Sequence, residues 1–98
     1  MRQLLWWLIG GSRGGRNRLR ILRALNDQPR NTNQLSNNLD LNYKTVQHHL
    51  EILEENNIVT TEGGNYGQLY FLSDRMMNNL DIMEDVAEQA GVGEDNDS

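Results

Sequence analysis

Four residues near the middle of the chain can form hydrogen bonds through uncharged or basic side chains: Tyr43, Lys44, Gln47 and His48. An amide and an imidazole form directed hydrogen bonds with a polar partner, and a lysine binds anions. Three glutamates follow between positions 51 and 55. The segment therefore has a polar front and an acidic back, which favours an anionic partner for the front alone.

Catalytic and metal chemistry find little support in the sequence. The chain has no cysteine, which excludes disulfides, thiolate metal sites and a cysteine nucleophile and fits a cytoplasmic protein. His48 and His49 are adjacent, so on a helix they point about 100° apart and cannot chelate one metal. No nucleophile–base pair, phosphate loop or metal-ligand spacing is visible. We expect no enzyme activity, no metal and no cofactor.

Apolar periodicity predicts the helix that would carry the polar residues. Val46, His49, Leu50 and Leu53 have the spacing of a one-sided helix over 43–55, and Asn42 is a good N-cap. We expect His49 to pack near the domain surface. Asp40 and Asn57 favour left-handed turns before and after this helix.

Helix-breaking residues and changes in the spacing of apolar residues indicate the other helices and strands. Further helices are predicted over 2–9, 16–26, 33–38 and 74–90, with Thr32 and Ser73 as N-caps of the last two and Gly91 as the final stop. The glycine-rich loop "GGSRGG" and the segment "NDQPRNT" separate the first three helices. The β-branched and aromatic runs 58–62 and 68–73 flank "GGNYG" and predict a hairpin.

This order of elements is that of a winged helix-turn-helix. The predicted fold is α+β and mainly helical, with a β-hairpin wing and flanking N- and C-terminal dimerisation helices. The winged domain covers 16–73. An apolar segment with its glycine loop (1–15) precedes it, and a dimerisation helix (74–90) and a disordered acidic tail (91–98) follow.

A family resemblance rests on residues 33–59, "NQLSNNLDLNYKTVQHHLEILEENNIV". This segment resembles the DNA-binding core of archaeal winged-helix regulators of the ArsR type, and the resemblance extends over about 4–83. It implies a dimeric transcription regulator whose helix 43–55 lies in the major groove. ArsR-type metal sensors usually carry cysteines beside that helix, so metal sensing is not expected here.

The chemistry of the residues themselves also predicts double-stranded DNA as the partner. With Val46 and Leu50 turned inward, Gln47 faces outward, where an amide can pair with adenine in the major groove. The candidate DNA-binding residues are Thr32, Asn33, Asn42, Tyr43, Lys44, Thr45, Gln47, His48, Asn65, Tyr66, Arg13, Arg16 and Arg30.

Two groups of basic positions allow more than one interpretation. Arg16, Arg20 and Arg23 share one helix face, where the balancing anion is either DNA phosphate or the acidic C-terminal helix. The predicted wing contains no lysine or arginine between 58 and 73. Asn65 and Tyr66 are its remaining candidates for a DNA contact, and affinity should depend weakly on salt.

The apolar ends of the chain predict a homodimer. Their side chains exceed what a small core absorbs, and the C-terminal ones have coiled-coil spacing. The candidate interface residues are Leu4, Leu5, Trp6, Trp7, Leu8, Ile9, Met76, Leu80, Met83 and Ala87. Membrane-surface attachment is the alternative, but the segment lacks a basic amphipathic face, and no run approaches the ~18–20 residues of a membrane span.

Charge divides the chain into two halves. Residues 1–50 carry eight basic and two acidic residues, a net +6, whereas residues 51–98 carry one arginine and twelve acids, a net −11. The alternative function is therefore a winged-helix assembly module that docks other proteins through its acidic C-terminal half. A single lysine and 14 acids against 9 bases are typical of either a halophile or an acidic, arginine-rich mesophilic protein.

Overall fold

The computed structural model describes residues 1–63 and 67–92. Within these ranges the chain forms helices around a two-stranded antiparallel sheet. The elements are α1 (Arg2–Leu5), a π-helical turn (Trp6–Gly10), α2 (Gly15–Asp27), α3 (Thr32–Leu39), α4 (Tyr43–Glu55), β1 (Val59–Glu62), β2 (Leu69–Leu72), α5 (Asp74–Met77) and α6 (Leu80–Ala90). This arrangement is the winged helix-turn-helix that the sequence predicted.

One apolar cluster holds the helices and the sheet together. Leu22 of α2, Leu35 of α3, Leu50 of α4 and Ile58 before β1 are completely buried in it. Each such side chain stabilises the fold by about 1.5–3 kcal/mol relative to exposure. The cluster therefore holds the buried side of α4 against α2, α3 and β1.

The N-terminus of α3 differs from the prediction. Asn31, not Thr32, is its N-cap: the Asn31 side chain accepts a hydrogen bond from the Gln34 amide at 2.7 Å, and the Gln34 side chain accepts one from the Asn31 amide at 2.9 Å. This reciprocal pair satisfies two amides, which a threonine at position 32 cannot do. Thr32 begins the helix and is buried.

The N-terminal apolar segment belongs mainly to this chain's own core. Leu5, Leu8 and Ile9 are buried, whereas Trp6 and Trp7 remain 43% and 55% exposed. A Cβ at Gly15 would lie 1.8 Å from the Ile9 carbonyl oxygen, so only glycine permits this approach of the segment to α2.

The prediction of one continuous helix over 74–90 is wrong. α5 and α6 are separated at Asn78 and Asn79, and the Asn79 side chain donates to the Arg75 carbonyl at 2.8 Å. Asparagine side chains compete in this way with the helical ladder. Ser73 caps α5 and Gly91, with φ 70°, ends α6, as predicted.

The C-terminal apolar residues with coiled-coil spacing, on α5 and α6, pack inward. Met76, Met83 and Ala87 are buried in the core of the single chain. Val92, the last residue described, packs against the same core. The remainder of the expected acidic tail, 93–98, lies outside the described residues.

The wing is tied to the loop before α3. Val59 pairs with Leu72 and Glu62 with Leu69 in the antiparallel register. Tyr70 also exchanges two backbone hydrogen bonds with Arg30, at 2.9 and 3.3 Å. These bonds place β2 beside the N-terminus of α3. The hairpin tip, 64–66, lies outside the described residues.

Candidate nucleic-acid interface

Helix α4 presents its polar row to the exterior. Val46, Leu50 and Leu53 are buried, as the periodicity predicted, and His49 is buried beside them. The opposite side of the first two turns is exposed and consists of Tyr43, Lys44, Thr45, Gln47 and His48. The helix therefore displays a phenol, an ammonium, an amide and an imidazole together, with no acidic side chain before Glu51.

A short turn and a cap determine where α4 begins. Asp40 is left-handed, with φ 56°, and ends α3. The Asn42 side chain then accepts a hydrogen bond from the Lys44 amide at 2.8 Å. Both features follow the prediction. They fix the register of α4, and hence which side chains face outward.

A buried polar contact, which the sequence analysis did not predict, holds the middle of α4. Arg18 and His49 are only 6% and 7% exposed, and Arg18 Nη1 lies 3.2 Å from His49 Nδ1. Arg18 also donates to the Leu8 carbonyl at 2.7 Å and to the Ser12 hydroxyl. The expectation that His49 packs near the surface is wrong. The missed signal is spacing, since position 18 lies four and seven residues before Leu22 and Leu25 on the apolar stripe of α2.

The ionisation of His49 follows from this contact. A guanidinium has donors only, so His49 Nδ1 accepts and the ring is neutral with its proton on Nε2. Burial lowers the pKa of His49, and the nearby charges of Arg18 and then His48 lower it further. His49 therefore links α4 to α2 through the hydrogen bond that it accepts from Arg18.

A groove of about 280 Å³ runs between α4 and the wing. Its lining residues carry mostly amides and hydroxyls and no charge: Asn31, Thr32, Asn33, Tyr43, Gln47, Gly67, Gln68 and Tyr70. Burial and then the charge of Glu54 raise the pKa of Tyr70, against a hydrogen bond with Thr32 that lowers it. Tyr70 is therefore a neutral hydroxyl. Among the described residues, the lining of this groove therefore offers hydrogen-bonding groups and no cation.

Not every predicted residue faces solvent. Thr32 is buried against Tyr70. Arg30 donates to Asp27 Oδ2 at 2.9 Å and to the Ala24 carbonyl at 3.2 Å, so its guanidinium is engaged within the chain. Asn33 and Asn42, and Arg13 and Arg16 on the α2 side, are exposed. Asn65 and Tyr66 lie outside the described residues.

Within residues 1–63 and 67–92, the acidic helix α6 pairs with Arg23, for which the sequence allowed either this helix or DNA phosphate. Arg23 forms a two-point ion pair with Glu84, at 2.6 and 3.0 Å. These hydrogen bonds from Arg23 lower the pKa of Glu84. Arg20 instead donates to the Leu39 carbonyl at 2.6 Å and to Asn17 at 3.1 Å. Arg2 pairs with Asp85 at 2.6 Å.

Across 1–63 and 67–92, no three histidine or acidic side chains come together as a metal would require. No helix in the described part of the chain is long and apolar enough to cross a membrane.

A comparison with known protein families matches the region of the chain that contains α4. Residues 16–61, somewhat under half of the chain, match the family model described as "Bacterial regulatory protein, arsR family". This segment, which contains α3, α4 and all of α2 except Gly15, is similar to ArsR-family helix-turn-helix domains. No curated protein matches the chain.

Solved structures share the fold at low sequence identity. A MarR transcriptional regulator from Methanosarcina mazei Go1 superposes with a TM-score of 0.66 at 18% identity, covering 76% of this chain and 56% of that one. ZitR from Lactococcus lactis gives 0.61 at 16% identity, covering 72% and 49%. Reduced HlyU from Vibrio cholerae N16961 gives 0.63 at 21% identity, covering 89% and 83%. The chain thus spans about half the length of the MarR regulator and of ZitR.

Proposed function

We propose that this chain is a DNA-binding transcription regulator that places the N-terminal half of α4 in the major groove. The observation that carries the proposal is the exposed row of Tyr43, Lys44 and Gln47 on a helix whose opposite side is buried. The ArsR-family match includes this helix, and the structural neighbours named as transcriptional regulators have the same fold. Both support the proposal.

The direction of docking follows from the position of the acids. Gln47 can form two hydrogen bonds with the N6 and N7 atoms of adenine, and Lys44 can bind a phosphate. At 1.5 Å per residue, Glu51 lies about 6 Å and Glu55 about 12 Å further along the helix than Gln47. A helix that enters with its N-terminus first keeps these carboxylates away from the phosphates.

The regulator is proposed to act as a homodimer in the cytoplasm. Six of the ten interface residues expected from the sequence are buried in the chain's own core: Leu5, Leu8, Ile9, Met76, Met83 and Ala87. The interface therefore centres on the exposed indoles of Trp6 and Trp7. A twofold axis would place two α4 helices about 34 Å apart, in successive major grooves on one side of the duplex.

The assembly-module alternative has less support. Two of the twelve acids on the C-terminal half, Glu84 and Asp85 of α6, already pair with Arg23 and Arg2 of the same chain. Docking of a basic protein there would have to displace these arginines. The polar row of α4 would also have no purpose in such a module.

The proposal is tested with a labelled duplex from the region upstream of the protein's own gene. The double substitution K44A/Q47A should weaken binding by about 30-fold or more, because a base pair contact and a phosphate contact are both lost. The matched control R75A/Q89A removes the same charge and the same amide from exposed positions on α5 and α6. It should bind as the wild type does. Equal binding by K44A/Q47A and wild type would refute the proposal.

A further inference from the structure

A second groove, of about 570 Å³, lies between α4, α2 and the glycine loop. Arg18 and His49, which are only 6% and 7% exposed, form its floor. Arg13 and Lys44 are exposed at its rim. No acidic side chain lines this groove within residues 1–63 and 67–92. The buried guanidinium of Arg18 therefore faces a groove whose described lining offers it no carboxylate, although buried charges in proteins are normally paired.

The floor of the groove has more hydrogen-bond donors than it has described acceptors. A guanidinium carries five N–H groups. Those of Arg18 donate to the Leu8 carbonyl and the Ser12 hydroxyl, and a third donates to His49 Nδ1. Two N–H groups of Arg18 and Nε2–H of His49 have no hydrogen-bond acceptor in the described part of the chain. Buried donors without acceptors are rare, so these three indicate that a ligand or water accepts from them.

The electrostatics of the floor favour an anion. Burial lowers the pKa of Arg18, and no carboxylate among residues 1–63 and 67–92 offsets this cost of the charged form. Burial, and then the charges of Arg18 and His48, lower the pKa of His49. An oxyanion at the floor would stabilise the charged guanidinium and would accept a hydrogen bond from the neutral imidazole.

Gly14 holds both floor residues in place. Its φ of −85° is one that any residue adopts, so backbone conformation does not require glycine at this position. A Cβ there would lie 2.5 Å from His49 Cε1 and 2.7 Å from Arg18 Nη1. The loop backbone thus packs directly on the imidazole and the guanidinium. Both groups are therefore fixed before a ligand arrives, which reduces the entropic cost of binding.

A terminal oxyanion fits this floor better than the DNA backbone does. A phosphodiester carries a sugar on each side, which keeps its oxygens at the level of exposed side chains such as Lys44. A carboxylate or a terminal phosphate is attached at one end only and can reach the buried donors. The volume of the groove lies within the range of about 300–1,000 Å³ that is usual for small-molecule sites.

We propose that the floor formed by Arg18 and His49 binds the carboxylate or terminal phosphate of a small effector molecule. Two donors of Arg18 and Nε2–H of His49 contact its oxygens, and Arg13 and Lys44 add positive charge at the rim. Binding of the anion is independent of the proposed function. Its effect rests on that function: because Lys44 is proposed to bind a DNA phosphate, an anion beside it lowers the affinity for DNA.

The test titrates the ¹⁵N-labelled full chain at pH 7.5 with inorganic phosphate and, in a separate arm, with sodium acetate, at constant ionic strength. The NMR signals of His49 Nε2 and of the Gly14 and Thr45 amides should shift and saturate. The arm with the tighter binding shows whether the site prefers a phosphate or a carboxylate. No saturable shift with either anion would mean that water satisfies the donors, and would refute the site.

A substitution at the floor tests the assignment of the donors. In His49→Asn the amide oxygen can replace Nδ1 as the acceptor from Arg18, but the side chain ends short of Nε2. This variant should bind the anion about tenfold more weakly or worse. His48→Asn makes the same change at the adjacent, exposed ring and should weaken binding by less than about threefold. Equal effects of the two substitutions would contradict a role for the buried donor.

A second pair of variants serves if His49→Asn lacks the dispersed amide signals of a folded protein. Thr45 is exposed and lines the same groove. Thr45→Glu supplies a carboxylate from the chain itself and should abolish the shifts with phosphate. Thr45→Gln, of the same size and without charge, should retain them. Undiminished phosphate shifts in Thr45→Glu would refute the site.

Fluorescence anisotropy with the upstream duplex separates this proposal from the proposed function. Saturating phosphate, compared with NaCl at the same ionic strength, should weaken DNA binding by wild type about fivefold or more and have a smaller effect on His49→Asn. Equal DNA affinity in phosphate and NaCl would refute the effector role. Saturable anion shifts in a chain that binds no duplex would support the site and refute the proposed function. If duplex DNA shifts the His49 Nε2 signal as phosphate does, the floor binds the DNA backbone and the assignment to a small molecule is wrong.

Discussion

Arg18 and His49 lie 31 residues apart in the chain, yet Arg18 Nη1 is 3.2 Å from His49 Nδ1 in the interior. Through Arg18, this contact joins the N-terminal segment, whose Leu8 carbonyl accepts from Arg18 Nε, to the middle of α4. The helix proposed to read DNA is thus attached to the segment proposed to form the dimer. A substitution in the N-terminal segment or in α4 that disrupts this pair should therefore alter the packing of the other.

The neutrality of His49 predicts a pH-dependent stability. Its folded-state pKa lies below the unfolded value of about 6.5, so the unfolded chain binds more protons as pH falls below that value. The contribution of His49 is therefore unchanged above about pH 6.5, and stability is lost as pH falls from there toward the folded pKa. Urea denaturation at pH 7.5 and 5.5 should show a lower midpoint at 5.5.

A pair of variants isolates this effect. His49→Gln should reduce the pH-dependent fall, because glutamine can accept from Arg18 but does not titrate. His48→Gln, which removes the neighbouring exposed ring, should retain it. The same pH dependence in wild type and His49→Gln would contradict the assignment.

Arg18 should matter for stability although it is charged. Arg18→Met leaves His49 Nδ1 without its donor in the interior, and it removes the shorter of two side-chain hydrogen bonds to the Leu8 carbonyl, which keeps the one from the Ser12 hydroxyl at 3.3 Å. We expect a loss of about 1–3 kcal/mol in the free energy of unfolding. Arg13→Met, at an exposed position of the glycine loop, should change it by no more than about 0.5 kcal/mol. Thermal or urea unfolding compares the two, and equal effects would show that the buried contact is not stabilising.

The approach of the N-terminal segment to α2 depends on one glycine. Gly15→Ala forces a Cβ against the Ile9 carbonyl oxygen and should destabilise the fold by about 3 kcal/mol. Gly11→Ala is the control, because its Cβ would meet nothing nearer than 3.5 Å. Gly11→Ala should leave the free energy of unfolding almost unchanged. Differential scanning calorimetry of both variants measures the difference. A stable Gly15→Ala protein would show that the segment is not packed against α2 in this way.

The homodimer is tested at the exposed indoles. The double substitution W6S/W7S should turn a dimer into a monomer in sedimentation at tens of micromolar protein, because these side chains are the proposed centre of the interface. The control L69S/M77S removes two other exposed apolar side chains and should remain dimeric. A wild-type monomer in both low and high salt, or a dimeric W6S/W7S, would exclude this interface.

Local signals were sufficient to predict the helix-turn-helix. Asp40 and Asn42 determine the turn before α4 through short-range backbone preferences, and the apolar spacing of Val46, Leu50 and Leu53 determines which side is buried. These effects act within a few residues, so they can be deduced from the sequence. The exposure of the polar row on α4 follows directly from them.

Contacts between distant segments were not predictable in the same way. The Arg18–His49 pair depends on how α2 crosses α4, and the inward packing of Met83 and Ala87 depends on how α6 meets the N-terminal segment. The break at Asn79 arises from one side-chain hydrogen bond that competes with a regular helix. Periodicity predicts an apolar face but not whether this chain or a second copy covers it.

The central claim, that Gln47 reads a base edge in the major groove, is tested most directly by pairing a protein variant with a DNA variant. A duplex selected for tight binding is made with 7-deazaadenine at each adenine in turn, which removes the N7 acceptor. One position should weaken wild type by about 1–3 kcal/mol and leave Gln47→Ala unaffected, because that variant has already lost the contact. If every substituted position affects wild type and Gln47→Ala equally, Gln47 does not read adenine and the account is contradicted.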